Sequence, residues 1–141
     1  MLIQLAIATA MVLATVIMHG LGLLGLTRVL RAERNEERLA NLSPFSLRGL
    51  AATIGVVLAL FALHGTEIWL YALVYLQIGA LQGLEEAVYF STITYGTVGY
   101  DDDGFHPAWQ LVAAVEGING VLLLGWSTAF FISLAARLRL H

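Results

Sequence analysis

AVYFSTITYGTVGYDDD, residues 87–103, is the stretch around which the chain is organised. It follows a short amphipathic segment that begins at Leu84, and long apolar segments lie on both sides of it. A helix over residues 84–95 is about 18 Å long, which is too short to cross the hydrocarbon core of a bilayer. Non-helical backbone is stable at membrane depth only where protein or water surrounds it. The pattern therefore predicts a short helix and a non-helical segment that enter the membrane and return to the same side.

The letters TVGY at residues 97–100 suit a strand whose backbone carbonyls face a dehydrated cation. Gly99 tolerates the positive φ that such a strand needs. Thr97 adds a hydroxyl at the inner end of the row, while Val98 and Tyr100 can point away from the ions and pack behind the strand. One chain supplies one wall of such a site, so the site requires several chains around an axis. The alternative interpretation is a re-entrant turn or an ordinary periplasmic loop.

Residues 97–100 resemble the selectivity filter of the potassium-channel family, whose usual form is TVGYG followed by Asp. The order of outer helix, pore helix, filter and inner helix adds to the resemblance, which covers the region from about residue 47 to residue 138. The resemblance implies a homotetramer in which backbone carbonyls of residues 97–101 bind K⁺. Two positions depart from the pattern, because Asp101 stands where the family has its second Gly and Gly96 stands where it commonly has a second Thr.

The acidic run Asp101-Asp102-Asp103 follows the filter-like letters directly. Asp visits left-handed backbone conformations at a cost of about 1 kcal/mol, so Asp101 is compatible with a filter backbone. In a tetramer the carboxylates of Asp102 and Asp103 form an outer mouth that concentrates cations. We therefore expect cation attraction here and no structural divalent site.

Composition places the chain in a membrane. Of its 141 residues, 59% are hydrophobic and only 12% are charged, which is too apolar for an ordinary soluble domain. No Cys is present, so disulfides and thiol chemistry are excluded. No basic domain could carry a nucleic acid, and no cofactor is expected beyond K⁺ as the permeant ion.

The pattern predicts an all-α membrane protein with three transmembrane helices, a re-entrant pore helix and a filter. Residues 1–27 carry no charge, and no basic residue precedes this run, which favours a transmembrane helix over a cleavable signal peptide. We expect an N-terminal helix with a charged linker over residues 1–46, followed by a pore domain over residues 47–141. The pore domain is expected to consist of an outer helix 47–80, a pore helix 84–95, a filter 96–101 and an inner helix 107–139.

Charge predicts the orientation. All seven basic residues are Arg, and they lie at the helix ends that the positive-inside rule assigns to the cytoplasm. This places His141 in the cytoplasm and Met1 outside, in a multi-pass protein of the cell membrane. The acidic run then faces outward, as the resemblance to potassium channels requires.

Ionisable groups at membrane depth invite a functional interpretation. His64 and Glu67 share a helix face, and Glu116 is expected at about the depth of the filter. One interpretation is that these three residues form a polar cluster that braces the filter or senses pH through His64. The alternative is that they only make satisfied hydrogen bonds inside the bundle. For His19 we expect an interhelical hydrogen bond. Gly120 matches the hinge glycine that the potassium-channel family has in its inner helix.

The sequence thus predicts a passive potassium-selective channel in the lipid bilayer. A weakly selective cation channel is the close alternative, because of Asp101. A non-conducting accessory subunit is an alternative of a different class. An intramembrane enzyme that uses His64, Glu67 and Glu116 is not expected, because neither a nucleophile nor metal-ligand spacing accompanies them.

Overall fold

The computed structural model describes residues 1–34, 47–99 and 104–139. Within these ranges the chain forms four α-helices and no strand: α1 (Leu2–Arg34), α2 (Leu47–Gln77), α3 (Leu84–Tyr95) and α4 (Gln110–Arg139). A 3₁₀ turn, Pro107–Trp109, leads into α4. Three stretches are long and apolar enough to cross a membrane: Leu2–Leu30, Gly49–Gln77 and Pro107–Ala136.

The second helix ends at Gln77, whereas the sequence led us to expect helix as far as residue 80. Gly79 ends it by adopting a φ of 69°, a left-handed conformation that glycine adopts without a Cβ clash. The Ala80 N–H then donates to the Tyr75 carbonyl at 2.8 Å, which caps the helix. The turn directs the chain back toward α2, so that α3 packs against it.

The short helix α3 carries Glu85 and Glu86 in its first turn, where the helix dipole favours carboxylates. Its buried face packs between α2 and α4, and it consists of Ala87, Phe90, Ser91, Thr94 and Tyr95. A helix of this length cannot span a bilayer by itself, so its neighbours must enclose it. This packing positions the C-terminal end of α3, where the filter-like letters begin.

An aromatic cluster anchors the chain where it re-enters α4. The rings of Phe90 and Phe105 stack with centroids 4.4 Å apart, and Tyr75 meets both rings edge-on. The His106 N–H donates to the Ala80 carbonyl at 3.0 Å. The segment before α4 is therefore fixed to the turn between α2 and α3.

The N-terminal helix α1 packs against both α2 and α4. Its buried side includes the polar residues Thr15 and His19, both fully enclosed. Its opposite side exposes large apolar side chains such as Leu13 and Ile17, which suits a face toward lipid. Because α1 buries polar groups against two other helices, it is an integral part of the bundle.

Candidate functional site

The backbone after α3 folds back onto the helix that precedes it. Thr97 adopts a φ of 54°, which is unusual for a β-branched residue. Its N–H donates to the Thr94 carbonyl at 3.1 Å, and the Val98 N–H donates to the Ile93 carbonyl at 3.0 Å. These bonds satisfy carbonyls that the end of an α-helix leaves without partners.

In the single chain this conformation differs from the filter strand that we expected. Gly99 does not have a positive φ in the structure, and the left-handed residue is Thr97 instead. Val98, which we expected to pack behind the strand, is 81% exposed. The physical reason is that the N–H groups of this segment cap α3 and so turn the chain away from an extended path.

The outer part of the candidate filter, Tyr100 and Asp101, lies outside the described residues, as do Asp102 and Asp103 of the expected outer mouth. Their roles remain predictions from the sequence. Gly96 is the C-cap of α3, with φ −77° and ψ −4°, and its N–H donates to the Thr92 carbonyl at 3.0 Å.

A groove of about 270 Å³ runs between the end of α3 and α4. Small residues of α4 form one wall, which keeps the groove open. The hydroxyl of Thr94 borders it and, within the described part of the chain, is buried without a hydrogen-bond partner. The lining residues are Ile93, Thr94, Thr97, Gly99, Ala113, Ala114 and Gly117.

Helix α4 crosses the end of α3 at very short range, and glycine makes this possible. A Cβ added at Gly120 would lie 2.2 Å from the Tyr95 carbonyl oxygen, closer than any real Cβ contact. At Gly117 the corresponding distance to the Thr94 carbonyl oxygen is 3.5 Å, an ordinary contact. Close packing against Tyr95 thus accounts for Gly120 in the structure, while its role as a hinge stays a prediction.

Glu116 is fully buried and accepts hydrogen bonds from the hydroxyls of Tyr75 and Ser91. It therefore joins α4 to both α2 and α3. Glu116 is not hydrogen-bonded to His64 or Glu67, so the expected cluster of three ionisable residues is wrong as a single unit. The register between helices puts Glu116 beside Ser91, about one turn before Tyr95 in α3, and beside Tyr75 of α2.

His64 and Glu67 belong to a separate group of hydrogen-bonded side chains. The Glu67 carboxylate contacts His19 Nδ1 at 2.9 Å through Oε1 and accepts from the Tyr95 hydroxyl at 2.5 Å through Oε2. His64 Nδ1 lies 2.8 Å from the same Tyr95 oxygen and 3.2 Å from Glu67 Oε2. The expectation that His19 makes an interhelical hydrogen bond is confirmed.

Ser127 of α4 closes this group into a ring. Its Oγ lies 2.9 Å from His64 Nε2 and 3.2 Å from His19 Nε2. We call His19, Ser127, His64, Tyr95 and Glu67, connected in that order, the polar ring. It takes residues from all four helices, and His19 and Glu67 are completely buried.

The polar ring has a defined requirement for protons. Each of its five contacts needs one hydrogen, whereas Tyr95, Ser127 and two neutral imidazoles supply four. A fifth hydrogen would be needed for all five contacts to be hydrogen bonds at the same time, and Glu67 and the two imidazoles are the groups able to carry it.

Between these groups, Asn119 of α4 donates to Thr15 at 2.8 Å and to the Tyr71 hydroxyl at 3.2 Å. Sequence reasoning missed this contact, and it missed Tyr95 and Ser127 in the polar ring. The available signal was a polar side chain within each apolar helix, because such groups need a partner inside the bundle.

Comparison with known proteins gives the family. The chain matches no curated protein and no solved structure. A family model described as "Ion channel" matches residues 56–137, which is more than half of the chain. The matched region contains most of α2, all of α3, the filter-like letters and most of α4, and three helices are able to cross a membrane. This multi-pass membrane protein therefore belongs to the ion channel family.

Proposed function

We propose that four copies of the chain form a passive, potassium-selective channel, with residues 97–101 as its filter. The observation that carries the proposal is the placement of TVGY directly after α3, at the point where α4 crosses that helix. Carbonyl oxygens of this stretch replace water around K⁺ when four chains surround one axis.

The surface around the candidate filter supports an assembly of several chains. Thr97, Val98 and Gly99 are all exposed in the single chain, and the groove between α3 and α4 opens beside them. An exposed apolar residue such as Val98 at membrane depth favours burial against another chain. The C-terminal end of α3 also carries partial negative charge, which favours a cation on the axis.

The outer carboxylates support cation conduction in particular. Asp101, Asp102 and Asp103 of four chains would raise the local concentration of cations at the outer entrance. A weakly selective cation channel is the second candidate, since Asp101 replaces the Gly that ends the filter of the potassium-channel family. Inner sites at Thr97 and Val98 keep the family's letters, and they favour selectivity for K⁺.

Flux through the purified chain in liposomes tests the proposal. We expect K⁺ flux well above Na⁺ flux. We expect Gly99→Ala to abolish K⁺ flux, because an added Cβ disfavours the positive φ that Gly99 would adopt in a filter formed by four chains. Gly125→Ala is the matched control: a Cβ has nothing within 4 Å at either glycine in the single chain, but Gly125 lies within α4 and outside residues 97–101. Equal Na⁺ and K⁺ flux would favour the weakly selective channel. No flux from a folded tetramer would favour an accessory subunit.

A further inference from the structure

We propose that the polar ring contains a binding site for a divalent transition metal ion, with Zn²⁺ as the physiological candidate. The ligands are His19 of α1 together with His64 and Glu67 of α2. Their ligand atoms all lie within 4.8 Å of one another. Two imidazoles and one carboxylate are a donor set that zinc binds in proteins. This proposal is independent of the proposed potassium selectivity.

The distances fit a tetrahedral ion. Bonds of about 2.0 Å at tetrahedral angles separate neighbouring donor atoms by about 3.3 Å. Glu67 Oε1 lies 2.9 Å from His19 Nδ1, and the other oxygen of the same carboxylate, Oε2, lies 3.2 Å from His64 Nδ1. The Tyr95 hydroxyl, 2.8 Å from His64 Nδ1, offers the fourth oxygen. A small outward movement of these side chains therefore accommodates the ion.

The orientation of both imidazoles supports the site more specifically. His19 and His64 each direct Nδ1 toward Glu67 and Nε2 toward the same Ser127 oxygen. Histidines that bind a metal through one nitrogen usually donate the other ring N–H to a polar group, which fixes the ring and its tautomer. Ser127 is placed to accept from both rings at once.

The site would connect helices that hold the candidate filter. His19 belongs to α1, outside the region that the family model matches. Tyr95 is the last residue of α3, directly before Gly96 and Thr97. A bound ion would therefore join the N-terminal helix to the base of the filter segment.

Metal uptake by the full-length chain in detergent tests the proposal. After treatment with a chelator, the protein is dialysed against Zn²⁺ and the bound metal is counted. We expect one Zn²⁺ per chain, with Co²⁺ giving the visible absorption of a tetrahedral site. His64→Asn and Glu67→Gln should each remove this uptake. Ser127→Ala should weaken it by about 10–100-fold, the usual effect of losing a partner of a ligating histidine.

Two further variants keep the test decisive. His64→Cys retains a zinc ligand and should retain binding, which separates loss of a ligand from failure to fold. His106→Asn removes an exposed histidine outside the ring and should leave uptake unchanged. The proposal is wrong if the folded wild type takes up no Zn²⁺, if His64→Asn binds like wild type, or if His64→Cys folds without binding.

Discussion

The contact of Gly120 with the Tyr95 carbonyl is the closest approach that a glycine makes between helices in the described residues. A methyl group at 2.2 Å from that oxygen forces α3 and α4 apart. We expect Gly120→Ala to destabilise the protein by about 1–3 kcal/mol, the usual cost of overpacking. The measurement is the thermal unfolding midpoint in detergent.

Gly125→Ala is the control, because a Cβ there meets nothing within 4 Å. In a helix, Ala is favoured over Gly by about 1 kcal/mol, so this variant should be as stable as wild type or more stable. Equal destabilisation by both variants would show that close packing at Gly120 is not the cause.

A substitution at Glu116 tests the buried hydrogen bonds that join α4 to α2 and α3. Tyr75 and Ser91 both donate to its carboxylate, whereas a Gln side chain has only one accepting oxygen. We expect Glu116→Gln to lower the free energy of unfolding by about 1–3 kcal/mol. Glu85→Gln, on the exposed side of α3, removes only a favourable charge near the helix N-terminus and should change it by less than about 1 kcal/mol. If Glu116→Gln changed the free energy of unfolding as little as Glu85→Gln does, the hydrogen bonds of Glu116 with Tyr75 and Ser91 would not stabilise the bundle as proposed.

Asp101 is the residue on which selectivity can be tested most directly. Asp101→Gly restores the family's letter and removes a carboxylate. We expect this variant to keep or sharpen the preference for K⁺ over Na⁺, and its flux should depend less on external salt, which screens charges over about 8 Å at physiological strength. If wild type and variant both pass Na⁺ and K⁺ equally, Asp101 does not cause the lack of selectivity. Gly96 is then the next residue to change.

At the scale of single residues, sequence spacing predicted part of the buried network. His64 and Glu67 lie three residues apart on one helix face, and the structure has them in contact. Partners on other helices depend on rotation and register between helices, which spacing within one helix does not contain. This is why Tyr95 and Ser127 were missed and why Glu116 was assigned the wrong neighbours.

At the scale of elements, each helix was predicted from an apolar run and its end signals. Gly79 ends α2 earlier than apolar composition alone suggested. The conformation after α3 could not be predicted, since the N–H groups of Thr97 and Val98 can either cap α3 or belong to an extended strand. Both conformations are compatible with the residues of this segment. In the structure, hydrogen bonds to the carbonyls of α3 stabilise the capping conformation.

The helix α1 gives a prediction at the same scale. It supplies His19 to Glu67 and Thr15 to Asn119, and each lost buried partner costs about 1–3 kcal/mol. We therefore expect a chain that begins at residue 47 to aggregate when it is extracted in detergent. Residues 1–46 supplied as a separate chain should restore a single symmetric peak in size-exclusion chromatography. A well-behaved protein without α1 would contradict this role.

At the scale of the whole molecule, the three apolar helices and the family could be predicted from the sequence, because the length of an apolar run and the filter-like residues are local signals.

The orientation of the chain across the membrane remains a prediction. A tag after His141 should be accessible only from the cytoplasm, and a tag before Met1 only from outside, as the positions of the Arg residues require. Labelling of the C-terminal tag on intact cells would contradict this topology and indicate the opposite orientation.

The polar ring also has a consequence for biosynthesis. His19 and Ser127 are 108 residues apart, so α1 leaves the ribosome long before α4 can complete the ring. At ~5–20 residues per second this interval lasts roughly 5–20 s. Throughout it, the imidazole of His19 needs another partner, such as Glu67, water or a component of the insertion machinery. The first helix should therefore remain beside the insertion site until the last one arrives, and crosslinking of stalled nascent chains would detect this retention.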